Sequence, residues 1–275
     1  MFKGDTMNIQ RVWQLAQFEL TRLFATKRGL LALSAFAMLW LMILRYPIGH
    51  AVPFLSSPEF SGVAQQLAGN VGLKALASWP QAELAIFWLI ALYSFPVFAL
   101  FVCSDQTVGD RQRGTLRFLS LRCTRDETLM GRFLGQLTIV FSLIALTALA
   151  TFCVMVYRAP ELFLSGSLLA FTLVIQLTVI VMPFIALMAV LNLISSSSRL
   201  SIVLAILLFT LGNALLSFAS SYLSAIEVLF YIFPGVQLLD VAPHENVPLI
   251  LWGLPAIQTA ALLALGVFIF RRRAL

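Results

Sequence analysis

The stretch "GDRQRGTLRFLSLRCTRDETLMGR", residues 109–132, holds six of the eighteen lysines and arginines in the chain. Residues 84–104 before it and 133–157 after it contain no Asp, Glu, Lys or Arg at all. Each uncharged block reaches the ~20 residues that a helix needs to cross a bilayer. The charged stretch is therefore a connection between two spans, and it sets the register for reading everything else.

Working outward, composition agrees with that reading. Hydrophobic residues make up 60% of the 275 and charged residues 11%, with a mean hydropathy of +0.95. A soluble average is roughly 45–50% apolar and roughly 25% charged. Cutting the chain at its charges, each of which costs at least about 2.5–3.5 kcal/mol at mid-bilayer, leaves six windows. The expected spans are 29–47, 84–104, 133–157, 167–194, 200–223 and 247–270, with Arg45 snorkelling at the end of the first. No segment alternates polar and apolar residues as a barrel strand would. The expected fold is all-α: a polytopic integral membrane protein with six transmembrane helices in one transmembrane domain.

Lysine and arginine favour the cytoplasmic side. With the N-terminus inside, the inner segments carry 15 of these residues and the outer segments only Arg45, Lys74 and Arg158. Both termini and residues 105–132 are thus expected in the cytoplasm, in a bacterial-type inner membrane. The net charge of +6 reflects this topology, and no nucleic-acid partner is expected. No cleavable signal peptide is visible. Cys103, Cys123 and Cys153 fall on different levels of the topology and are read as unpaired.

Before the first span, residues 8–28 read as an amphipathic helix on the membrane surface, in contact with lipid. Ile9, Trp13, Ala16, Leu20 and Leu23 recur at three- and four-residue steps, and Trp13 suits the headgroup level. On the outer side, residues 60–79 could form a short amphipathic helix. Residues 224–245 contain an apolar run too short to cross, broken by Pro234 and Gly235, which suggests a re-entrant or interfacial element.

Enzyme chemistry finds little to work with. His50 and His244 are the only histidines, and both fall in outer loops, so no catalytic residues and no metal ligands are assigned. A phosphate-binding P-loop needs Gly-Lys, whereas Lys3, Lys27 and Lys74 follow Phe2, Thr26 and Leu73. The chain binds no cofactor and cannot hydrolyse ATP by that route, so energy must come from a partner or a gradient. A gradient would be expected to place ionisable residues in the spans, which offer only neutral amides: Gln176, Asn192, Asn213 and Gln258. These four are candidate pathway residues, and an uncharged path suits an amphipathic or largely apolar substrate better than a bare ion.

Residues 105–132 resemble the cytoplasmic segment between spans two and three in permeases of the ABC-2 family. Asp105, Asp110, Arg111, Arg113, Gly114, Thr115, Leu116, Leu119, Ser120, Thr124, Arg125, Gly131 and Arg132 stand at the matching places, with Arg122 where the family has a turn proline and Arg132 where it has a lysine. The resemblance implies a coupling helix driven by separate ATPase chains. The ATPase-coupling residues are then Asp105, Asp110, Arg111, Arg113, Gly114, Thr115, Leu116, Phe118, Leu119 and Arg125. Leu116, Phe118, Leu119 and Leu121 can seat such a helix under the membrane, while Asp110, Arg111, Arg113 and Arg117 offer a polar docking face. The resemblance also implies two permease subunits, identical or related, and two ATPases that use ATP and Mg, with export as the expected direction. A scaffold or assembly subunit is the chief alternative, and a lipid-modifying enzyme a third for which no catalytic set is available.

Overall fold

In the computed structural model, residues 8–55, 79–105, 107–222, 229–235 and 249–272 are described, and all regular structure among them is helical. Helix α1 (Ile9–Ala25) starts at Asn8, whose side chain accepts the Gln10 N–H at 2.9 Å. It stops at Thr26, which is extended (φ −103°, ψ 143°) and caps α2 (Lys27–Ile43) by accepting the Gly29 N–H at 3.1 Å. A single residue thus turns the chain from one helix into the next. Gly29 lies so close to the Leu23 carbonyl that a Cβ there would meet backbone. After α2, one π-helical turn, Leu44–Ile48, accommodates Pro47. The helical path from Gly29 to Ile48 is 20 residues long, enough for the ~30 Å hydrocarbon core. A short helix α3 (Ala51–Leu55) follows.

The second span is α4 (Ala82–Val102), ending in a 3₁₀ turn, Cys103–Asp105. Two short helices then fill the charged stretch, α5 (Val108–Gln112) and α6 (Thr115–Ser120). Gly114 turns the chain between them at φ 72°, a left-handed conformation that favours glycine. The remaining helices are α7 (Arg125–Arg158), α8 (Phe163–Ile194), α9 (Ser198–Ser220) and α10 (Leu249–Arg272). Six helices among the described residues are long and apolar enough to span a membrane, which makes this an all-α polytopic membrane protein.

Helix α7 starts well before residue 133, where the expected third span begins. Thr124 and Glu127 form a capping box, each side chain accepting the other's backbone N–H at 3.2 and 2.8 Å. At 34 residues the helix is about 51 Å long, so it projects well beyond the hydrocarbon core. The last part of the expected 105–132 segment is accordingly the projecting end of this span.

Helix α8 is the centre of the bundle and touches α4, α7, α9 and α10. Its residues 183–190 are all buried. Helix α2 is attached chiefly through Phe36 and Trp40, whose rings lie 4.8 Å from Phe98 and 5.5 Å from Phe95. Helix α9 buries only Ser201 and Ala205. Lipid is as apolar as leucine, so close packing and polar contacts hold such a bundle together. At the end away from the charged stretch, Arg158 grips both oxygens of Glu83, one at 2.9 Å, and Gln81 donates to Ser165 at 3.0 Å. Cys103, Cys123 and Cys153 are all free thiols.

Helix α1 does not keep its whole apolar face for a membrane surface. It packs along the N-terminal part of α7 and buries Val12, Ala16 and Glu19, while Ile9 and Trp13 face outward. Gly131 and Gly135 of α7 allow this approach: a Cβ on Gly131 would lie 3.0 Å from the Val12 carbonyl, and one on Gly135 3.1 Å from that of Ala16. The helix expected in 60–79 and most of the element expected in 224–245 lie outside the described residues. Within the latter, residues 229–235 form a tight turn with Gly235 at φ 100°.

Candidate functional site

Two regions are built from residues that the sequence singles out. The first is the arginine-rich end of the bundle. Arg132, on α7, reaches Glu19 of α1 with Nη1 and Asp110 of α5 with Nη2, and all three side chains are shielded from solvent. Gln136, one turn further along α7, donates to the other Glu19 oxygen at 3.1 Å. Beside this pair, Arg22 Nη2 lies 2.9 Å from Asp105, whose second oxygen accepts the Ser198 hydroxyl at 3.0 Å. Burying isolated charges is expensive, whereas a guanidinium facing two carboxylates keeps each one matched.

Two of the arginines expected in the coupling segment, Arg111 and Arg125, make contacts within the chain. Arg111 donates to the carbonyls of Leu193, at 3.1 Å, and Ser195 at the C-terminal end of α8. Arg125 does the same for α10, through the carbonyls of Phe270 at 2.8 Å and Arg271 at 3.0 Å. Both positions put a cation where helix carbonyls lack intrahelical partners and where the helix dipole is negative. Gln112 adds a bond to the Ser196 carbonyl at 3.0 Å, so α5 is tied to the α8–α9 turn from both of these residues. The Thr115 hydroxyl closes locally onto the Asp110 carboxylate and carbonyl, both at 3.2 Å.

The four apolar side chains separate. Leu116 is buried against Leu129, Leu193 and Phe270, and Leu119 is half-buried. Phe118 and Leu121 are 73% and 83% exposed. Arg113 and Arg122 are exposed as well. Seating thus falls to Leu116, and an outward apolar pair remains on α6 and the turn after it.

The expected pathway amides take different places. Asn192 is 0% exposed. It donates to the Cys103 carbonyl at 2.7 Å and accepts from Ser201 at 2.7 Å, joining α4, α8 and α9. Gln176 sits half-buried on α8 and lines neither cavity described here. Asn213 and Gln258 come together at the second region, a cavity of about 780 Å³ between α4, α8, α9 and the turn at 229–235. Asn213 lines it, as do Tyr93, Phe184, Phe209, Phe230 and Phe233, and no charged residue does. Gln258 holds the turn in place by donating to the carbonyls of Tyr231 at 2.7 Å and Phe233 at 3.3 Å. The Phe233 ring rests on Gly212, where a Cβ would lie 2.7 Å from it.

Glu19 is the contributor that sequence reasoning passed over, because it lies within a helix read as amphipathic. The Gly131–Gly135 pair was legible as two glycines four apart, a spacing that brings helices into close contact. Glu127 likewise does more than its capping-box spacing indicates, since its Oε1 also accepts the Asn8 N–H at 2.8 Å.

A family model described as ABC-2 family transporter protein matches residues 13–251. No curated protein shows significant similarity to the chain.

Proposed function

Because this chain belongs to the ABC-2 family of transporter proteins, and is therefore an ABC transporter permease, we propose that it is the membrane half of an ATP-driven exporter whose arginine-rich end faces the cytoplasm and receives a separate ATPase on each of two permease subunits. The observation that carries the reading is the outward apolar pair, Phe118 and Leu121. Exposed leucine and phenylalanine on a charged, aqueous end of a membrane protein call for a protein partner. They sit next to an element, α5, that Arg111 and Gln112 tie to the α8–α9 turn and Asp110 ties to α7. A push on α6 would then be delivered through α5 to the central helix.

The two permease subunits would alternate the exposure of the aromatic cavity between the two sides of the membrane. Its uncharged lining suits an amphipathic or largely apolar substrate, with Asn213 supplying a hydrogen bond. ATP and Mg belong to the ATPase chains.

The test is copurification. Phe118→Asp and Leu121→Asp should leave the permease inserted and extractable but remove the ATPase from it. Normal recovery of ATPase with both variants would sink the docking assignment.

A further inference from the structure

In the angle between α1 and α2 lies a groove of about 1180 Å³, closed on its other sides by α4 and α7. Its composition changes along its length. One end is walled by Arg22, Lys27, Arg113 and the carboxylates Glu19, Asp105 and Asp110, and the other by apolar side chains such as Phe36, Leu39, Phe98 and Leu143. The carboxylates are already engaged: Glu19 and Asp110 share Arg132, and Asp105 faces Arg22, which leaves one negative charge over. Lys27, at the start of α2, and Arg113, after α5, both line the groove, exposed and in no ion pair among the described residues.

We propose that this groove is a binding site for an anionic phospholipid of the inner leaflet, its phosphate held between Lys27 and Arg113 and one acyl chain laid along Phe36, Leu39, Phe98 and Leu143. Three features select this occupant. With Arg132 behind the wall counted, this end holds four cations against three carboxylates, and basic recesses between spans at the cytoplasmic side recruit anionic lipids. The apolar end is flanked by a span whose own outward residues, Leu31 and Met38, are exposed as lipid-facing residues are. A helix from a second subunit would cover the apolar wall but leave Lys27 and Arg113 without a counter-charge. The bound lipid would brace the α1–α2 bend against α7, so anionic lipid would stabilise the joint on which the coupling helices rest. The inference goes beyond the transport reading and takes from it only which leaflet supplies the lipid.

The full chain, extracted in a nonionic detergent with whatever subunits accompany it, is titrated with dioleoyl phosphatidylglycerol or dioleoyl phosphatidylcholine and read by native mass spectrometry and thermal melting. Two basic contacts should give phosphatidylglycerol roughly a tenfold or greater preference and a rise in melting temperature that phosphatidylcholine does not produce. Lys27→Gln with Arg113→Gln should remove the preference, and Ala32→Phe with Ala35→Phe, which fills the wall without altering charge, should remove binding. Arg45→Gln, at the far end, should change nothing. Equal binding of the two lipids, retention of the preference in the Lys27/Arg113 variant, displacement by millimolar inorganic phosphate, or cross-linking of Ala35→Cys to a second subunit would each overturn the proposal. These readouts are made in detergent, so they stand or fall separately from the membrane orientation and from ATPase docking.

Discussion

Arg132 is the side chain on which three separate pieces of chain meet: Glu19 from α1, Asp110 from α5, and its own helix α7. Its role is geometric as well as electrostatic. The guanidinium presents separate N–H groups to two carboxylates, which the compact ammonium of lysine cannot match at both places. Removing it leaves Asp110 without its cation and Glu19 with only the more distant Arg22, 3.9 Å away, and loss of one partner of a buried pair costs about 3–5 kcal/mol. Arg132→Met should therefore lower the melting temperature strongly and release α1 to limited proteolysis, and Arg132→Lys should fall between that variant and the natural protein. A wild-type melting curve and protease pattern for Arg132→Met would show that the cluster does not hold α1. The Arg158–Glu83 pair at the opposite end joins the start of α4 to the end of α7, with a further contact from Arg158 to the Pro80 carbonyl just before α4.

At the scale of elements, α1 is neither a free surface helix nor a span. Its polar faces and its Val12–Ala16–Glu19 stripe serve different neighbours, and the stripe is admitted by the two glycines of α7. Glu127 strengthens the same join by capping the starts of both helices at once, through the N–H groups of Asn8 and Thr124. A leucine in place of Gly131 would drive its side chain into Leu15 and the Val12 carbonyl, and overpacking of this kind costs about 1–3 kcal/mol. Gly131→Leu and Gly135→Leu should thus destabilise the protein and loosen α1, whereas Gly253→Ala, which meets nothing within 4 Å, should be neutral or slightly stabilising. Melting temperatures of the three variants check this, and an unaffected Gly131→Leu would mean that α1 can pack without the close approach.

For the whole molecule, the sidedness proposed here rests on the distribution of basic residues, and it can be measured directly. Cys123 is a poor reporter, because burial, with a smaller contribution from the Glu127 charge, pushes its thiol up and leaves less reactive thiolate at neutral pH. In a background without native cysteines, Tyr222→Cys should be labelled in intact cells by a membrane-impermeant maleimide, and Arg272→Cys only after permeabilisation. Labelling of Arg272→Cys in intact cells would invert the orientation and move the ATPase to the wrong side. Both positions are exposed in the fold, so failure to label would report the membrane and not burial. The sparse burial of α9, limited to Ser201 and Ala205, also leaves a long apolar helix for lipid or a second subunit.

Spanning depends on the length and apolarity of contiguous segments, so the sequence alone was sufficient for the six spans, the all-α class and the concentration of charge at one end. The helix break at Thr26 and the capping box at Thr124 are local as well, but the expected bounds, 8–28 and 133, missed both. What the arginines do was decided elsewhere. Arg111 finds carbonyls more than eighty residues away on α8, Arg125 finds others at the end of α10, and Arg132 meets a glutamate from the first helix. A long charged side chain has no preference between a protein partner, water and a distant helix end until the fold brings one of them within reach. The amides follow the same rule: Asn192 became a joint, Asn213 came to line a cavity, and Gln258 came to hold its turn, because the partners of a buried amide are set by which helices pack together and not by its neighbours in sequence.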